Sequence, residues 1–187
     1  MTTVKIIKNG YFKWVGLGKA KASSNVTLIK DGHKNILVDA GGIGDEKKII
    51  AGLKKEKLSP DKIDYVVITH YHPDHIACLH LFKNAIFFDS ASKFKKDLFV
   101  LRLIKKITPN VKIFFTPGHT EESCSVLVKT EQGVIAVTGD LFWFSQRENI
   151  KRGYALDLKK FAQSRKKILK IADWIIPGHA GMFKVKK

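Results

Sequence analysis

Ile68-Thr-His-Tyr-His-Pro-Asp-His75 closes a strongly apolar segment, and its reading decides the rest of the chain. His70, His72, Asp74 and His75 put four potential metal ligands within six residues. Neither a helix nor a strand needs that spacing for packing, so the stretch reads as chemistry. The segment that delivers it, Asp64 to Thr69, has the continuous apolar run of a strand buried on both faces. Pro73 and Asp74 are good helix-opening residues, and a short helix is expected from His75 to Leu81.

The arrangement recurs three times further along. A strand from Val111 to Phe115 runs into Thr116-Pro-Gly-His-Thr120. Strands at Ser125 to Thr130 and Val134 to Thr138 are joined by Glu131-Gln-Gly133, and the second ends in Gly139-Asp140. Trp174 to Ile176 reads as a final strand and delivers Pro177-Gly-His179. Strand ends at one sheet edge converge in space, and loops held by rigid strands are where ligands can be placed accurately. The glycines beside His119 and His179 let the backbone turn sharply and approach such a site. Five histidines and two carboxylates are more than one tetrahedral zinc ion can use, and suit two ions with open positions. Imidazole and carboxylate without thiolate fit zinc, and equally iron or manganese.

The remaining elements supply a scaffold. Val4 to Lys8, Val26 to Lys30 and Asn35 to Asp39 read as strands, with a hairpin turn at Lys30-Asp-Gly-His-Lys34. Asp45 to Leu58 spaces Ile49, Ile50, Leu53 and Leu58 as an amphipathic helix stopped by Ser59-Pro60. Ala85 to Asp89 is another strand, while the apolar residues of Ser92 to Ile107 fit neither period. Asp157 to Ala172 carries Leu158, Phe161, Ala162, Ile168, Leu169 and Ala172 on one helical face, with a basic face from Lys159 to Lys170 read as solvated surface.

At 187 residues and 44% hydrophobic composition the chain is expected to form one domain over 1–187 with a real core. The start lacks a secretory signal and no apolar run approaches a membrane span, so a cytoplasmic protein is expected. Cys78 and Cys124 sit in apolar surroundings and read as buried free thiols. His33, in a turn, and His80, near a helix end, are excluded from the site.

The full pattern, His70-x-His72-x-Asp74-His75 followed by His119, Asp140 and His179, resembles the metallo-β-lactamase superfamily. The resemblance covers essentially the whole chain. It implies an α/β fold, a four-layer αββα sandwich with the site at one edge of two sheets. It also implies His70, His72 and His119 on one metal, Asp74, His75 and His179 on the other, and Asp140 bridging. Two zinc ions, or iron or manganese, would hold a bridging hydroxide, with Asp74 orienting it and taking its proton. Asp39, in Asp39-Ala40-Gly41 where Asp-Thr-Gly is common, is expected to be a structural carboxylate beside the ligands. Ala77 stands where glycine is usual. Thr69 to Leu81, Thr116 to Thr120 and Ser164 to His179 are similar to the metallo-β-lactamase domain-containing protein 1 family, which is associated with endonucleolytic cleavage of RNA.

The charge bears on the substrate. Lys and Arg total 34 against 17 acidic residues, giving a formal charge of +17, which raises the expectation of a polyanionic partner. Only Arg102, Arg147, Arg152 and Arg165 are arginine, however, and bidentate phosphate recognition favours the guanidinium. RNA phosphodiester cleavage is the leading substrate expectation, helped by the eight basic residues against one acidic between Lys151 and Lys170. Hydrolysis of a thioester, lactone or β-lactam is the alternative, favoured by a compact single domain without a nucleic-acid module; the lack of a β-CASP insertion and of a glyoxalase II helical domain counts against both of those close analogies. Phe142, Trp143 and Phe144 either line a substrate pocket or pack beneath it.

Overall fold

The computed structural model describes residues 1–101, 106–148, 153 and 155–186. In chain order the elements are β1 (Thr3–Lys8), β2 (Tyr11–Gly16), β3 (Lys19–Ser23), β4 (Val26–Asp31), β5 (Lys34–Val38), α1 (Glu46–Lys55), β6 (Tyr65–Val67) and α2 (Pro73–Ile76). They continue with β7 (Ile86–Phe88), β8 (Ser92–Lys95), β9 (Leu98–Leu101), β10 (Val111–Phe115), β11 (Cys124–Thr130) and β12 (Gly133–Val137). The last three are α3 (Leu158–Ile171), β13 (Trp174–Ile176) and β14 (Phe183–Lys184). One sheet has the order β1-β4-β5-β6-β7-β8-β9, a second the order β10-β11-β12-β13-β14, and β2 pairs only with β3.

Period-two alternation divides the apolar runs between three cores. Ile36, Val38 and Val67 of the first sheet face Val126, Val128, Ile135, Val137 and Ile176 of the second. The alternate residues Leu37 and Val66 pack outward on Ile49 and Leu53 of α1. On the other side Leu127, Ala136 and Ile175 pack on Phe161 and Ile168 of α3. A strand with apolar residues on both faces is what a sheet covered on both sides requires, and the result is the expected αββα layering.

Strand direction places the ligand loops. β5, β6 and β7 run parallel. β10 and β12 are both antiparallel to β11, and β13 is parallel to β12, so β10, β12 and β13 deliver their carboxyl ends to one edge. The Cys124 amide donates to the Thr69 carbonyl at 2.9 Å and joins the two sheets there.

Several expectations need correction. The helix expected from His75 to Leu81 begins earlier, at Pro73, and gives way after Ile76 to a separate 3-10 turn at Leu79–Leu81. Trp174–Ile176 is not the final strand, because β14 pairs antiparallel with it. The segment from Ser92 to Ile107 contains the β8–β9 hairpin, and its residues 102–105 lie outside the described residues. Its apolar period is unreadable because all four residues of the edge strand β9 are exposed. On α1 Ile50 is turned to solvent, and on α3 Leu158 is exposed while Arg165 takes an inward position. Among the described residues no helix is long and apolar enough to cross a membrane.

Candidate metal centre

The seven expected ligands meet at the sheet edge in two groups. One holds His70, His72, His119 and Asp140, the other Asp74, His75 and His179, with the candidate donor atoms of each group within 4.8 Å of one another. His70 and His72 follow β6, Asp74 and His75 lie in α2, and His119, Asp140 and His179 follow β10, β12 and β13. His33 and His80 are exposed and stand outside both groups. Cys78 and Cys124 are buried and donate to the carbonyls of Gly42 and Ile68.

In the first group His72 Nδ1 lies 3.0 Å from His70 Nε2 and 3.0 Å from His119 Nε2. Donors on one tetrahedral ion with bonds near 2.05 Å stand about 3.3 Å apart, so the spacing fits a shared ion. Toward the second group, Asp140 Oδ1 lies 3.1 Å from both His75 Nε2 and His179 Nε2. Asp140 Oδ2 is 3.5 Å from His119 Nε2. The same Oδ2 is 3.3 Å from His179 Nε2, so this carboxylate lies between the two groups. His75 Nε2 and Asp140 Oδ1 are buried 3.1 Å apart with no well-formed hydrogen bond between them, and coordination of a cation would satisfy both.

The ring tautomers suit that role. His75 Nδ1 donates to Asp39 Oδ2 at 2.8 Å, leaving the Nε2 lone pair for a ligand. The Thr69 hydroxyl donates to Asp39 Oδ2 at 2.9 Å, so it accepts from His70 Nδ1 at 3.1 Å. His179 Nδ1 donates to the Ser23 carbonyl at 3.1 Å. Asp39 thus orients one imidazole in each group, with its own backbone held at a left-handed φ of 60° and its Oδ1 bound by the Thr69 amide. Burial raises the Asp140 carboxyl, but His75 and His179 overcome it and hold it well below the usual range. Burial works against charging His75 too, yet Asp140 and Asp39 keep it well above an ordinary histidine. His70 is pushed down by burial and then by the neighbouring His75 charge. The pocket is built to surround positive charge.

Glycine is required at two of the turns. A Cβ at Gly178 would fall 2.1 Å from Asp140 Oδ1, so only glycine lets the His179 loop cross the carboxylate. A Cβ at Gly118 would fall 2.3 Å from the Phe161 backbone, and φ there is +136°. That glycine answers to α3 rather than to the site.

The rim is aromatic. Phe142 is fully buried and packs under the site, whereas Trp143 and Phe144 are half-buried beside it. The Trp143 ring centre is 6.0 Å from that of His119 and 5.7 Å from that of His179. Phe12, from the unforeseen β2–β3 hairpin, meets Trp143 at 4.8 Å, and Trp14 extends the cluster outward while 62% exposed. The loop after Asp140 is clamped from below by Glu148, whose Oε2 accepts from the amides of Trp143 at 3.1 Å and Phe144 at 2.9 Å. Arg165 of α3 pairs with Glu148, donates to the Leu141 carbonyl at 2.8 Å and lies 3.9 Å from the Phe142 ring centre. The basic face of α3 is therefore lysine alone, and Arg165 serves the interior. Lys151 and Arg152 lie outside the described residues.

The metallo-β-lactamase superfamily profile matches residues 21–93. A metallo-β-lactamase domain-containing protein 1 from Xenopus laevis is 33% identical over 193 residues, covering 99% of this chain and 82% of its own. The chain belongs to the metallo-β-lactamase superfamily. A probable metallo-hydrolase from Methanocaldococcus jannaschii is 36% identical over 149 residues, 79% of this chain and 71% of that protein. Among solved structures AidC, a dizinc quorum-quenching lactonase with a bound product, superposes with a TM-score of 0.70 at 21% identity, covering 89% of this chain and 76% of its own, and so shares the fold. Membership of this metallo-hydrolase superfamily agrees with a site that can take two metal ions.

Proposed function

We propose that this chain is a cytoplasmic binuclear zinc hydrolase whose residues 1–187 work as one domain. His70, His72 and His119 would hold one ion, Asp74, His75 and His179 the other, and Asp140 would bridge them. The observation that carries the reading is the convergence of buried donors on Asp140, whose Oδ1 lies 3.1 Å from both His75 Nε2 and His179 Nε2 with no well-formed hydrogen bond to either. Bound zinc ions supply Lewis acidity and bring the pKa of water toward neutrality; iron or manganese would suit the same donors. Asp74 is the catalytic carboxylate of the proposal. It is the site carboxylate with solvent access, its side chain 23% exposed against 5% for Asp140. Its Oδ2 stands 3.7 Å from His179 Nε2, which leaves Oδ1 to orient the attacking water and accept its proton. Asp39 keeps His75 fixed while the proton moves.

RNA phosphodiester cleavage is the first substrate reading. It is supported by the formal charge of +17 and by Trp14, Phe12 and Trp143, flat surfaces on which bases can stack. A second reading, hydrolysis of a thioester, lactone or β-lactam, is supported by the same apolar rim and by the fold shared with AidC. The test is metal analysis followed by turnover of RNA, single-stranded DNA, thioester, lactone and β-lactam substrates, with Asp140→Ala and chelation as controls. RNA affinity should fall steeply with salt. Uptake of fewer than one transition metal per chain after reconstitution ends the catalytic reading, and RNA turnover that survives Asp140→Ala ends the nuclease reading.

A further inference from the structure

We infer that Asn25 is a positioning residue for the second metal group, Asp74, His75 and His179, and acts on that group selectively. The inference rests on the binuclear reading above. Asn25 is 4% exposed and lies between β3 and β4, outside both ligand groups. Its amide nitrogen Nδ2 donates to the carbonyls of Pro177 and Ala180, each at 2.7 Å. Its Oδ1 accepts from the Gly10 amide at 2.6 Å, and its backbone amide donates to the Gly178 carbonyl at 2.6 Å. One residue thus holds the chain on both sides of His179.

Its two predecessors reach the same group. The Ser23 carbonyl accepts from His179 Nδ1 at 3.1 Å, and the Ser24 amide donates to the Asp74 carbonyl at 3.0 Å. Residues 23–25 therefore strap together the loops that carry Asp74 and His179, which come from different sheets. The strap is anchored from beneath by Lys8, whose buried Nζ donates to Ser23 Oγ and to the Ser24 carbonyl and pairs with Asp45 at 2.8 Å. None of these hydrogen bonds reaches a residue of the first group, where His70 is set through Thr69 and Asp39, the carboxylate that also holds His75. Partners that orient metal ligands typically govern affinity by 10–100-fold, and here that leverage falls on one ion of the two.

The test is stepwise zinc titration and metal counting on wild type, Asn25→Asp and Asn110→Ala. Aspartate keeps the acceptor for Gly10 but sets a carboxylate against two carbonyls. Asn110 bonds Thr2 and Asp31 at the opposite end of β10 and controls for simple destabilisation. Uptake of two equivalents by wild type tests the binuclear centre itself. Asn25→Asp should then weaken one equivalent by about 10–100-fold and leave the other unchanged, with Asn110→Ala binding as wild type. Should Asn25→Asp fail to fold, hydrogen exchange on wild type decides: zinc loading should protect the Ser24, Asn25 and Gly178 amides more than the Lys129 amide. Unchanged binding in Asn25→Asp, equal weakening of both equivalents, or no selective protection overturns the assignment.

Discussion

Replacing Arg165 by methionine should destabilise the fold by about 3–5 kcal/mol, the cost of removing one partner from a buried ion pair. The Glu148 and Arg165 side chains are only 6% and 7% exposed. Without the guanidinium the Glu148 carboxylate stays in the interior with just the two amide donors from Trp143 and Phe144. The carbonyls of Leu141 and Gln146 lose their donor as well. A second replacement, Glu148→Leu, removes the orphaned charge, and the two amides it releases lie in half-buried residues that water can reach. The double variant should therefore sit only about 1–2 kcal/mol below wild type, more stable than Arg165→Met alone. Equilibrium urea unfolding reads this as a midpoint shift at constant slope, and thermal melts as a fall of roughly 6–20 °C for the single variant. The reasoning is refuted if Arg165→Met stays within about 1 kcal/mol of wild type, or if the two substitutions add instead of compensating.

Two further expectations follow from local geometry. Gly178→Ala forces a methyl to within 2.1 Å of Asp140 Oδ1, so the carboxylate must rotate out of the position proposed to bridge the two ions; metal content should drop by about tenfold or more at a fixed free zinc level, and full retention would contradict the placement. Asp31 is held down at about 2, against burial, by the hydroxyls of Thr108 and Thr2 and by Asn110. Because the folded-state value is the lower one, this stabilisation is complete above about pH 4 and disappears as pH falls toward 2; Asp31→Asn should cost about 2 kcal/mol at pH 7 and flatten the acid limb of a stability profile.

Residues that had to satisfy a repeating pattern were legible in the sequence. β6, β12 and β13 were visible as apolar runs because both of their faces are covered, β10 by the buried Val111 and Ile113 of its one covered face, and the candidate ligands because each run stops at one. What escaped had no period to obey. β2 and β3 pair only with each other and are largely exposed, so Phe12 and Trp14 carried no core signal. Asn25 works through backbone carbonyls 152 and 155 residues away, which no local spacing encodes. Arg165 could have been found. It stands four residues after Phe161 and three before Ile168, on the stripe that α3 buries, and a lone guanidinium there among surface lysines marks an interior partner.

The ligand loops of this centre come from both sheets, with Thr69 and Cys124 joined across the seam and His70 separated from His179 by most of the chain. Such a centre cannot exist on the folding route until the two halves have met. Closing loops of that length is slow, and an ion that binds only the finished seam adds nothing to the nucleus that precedes it. Its effect therefore falls on the exit. Metal bound there would act as a lock on unfolding and leave the speed of folding to the apolar strands.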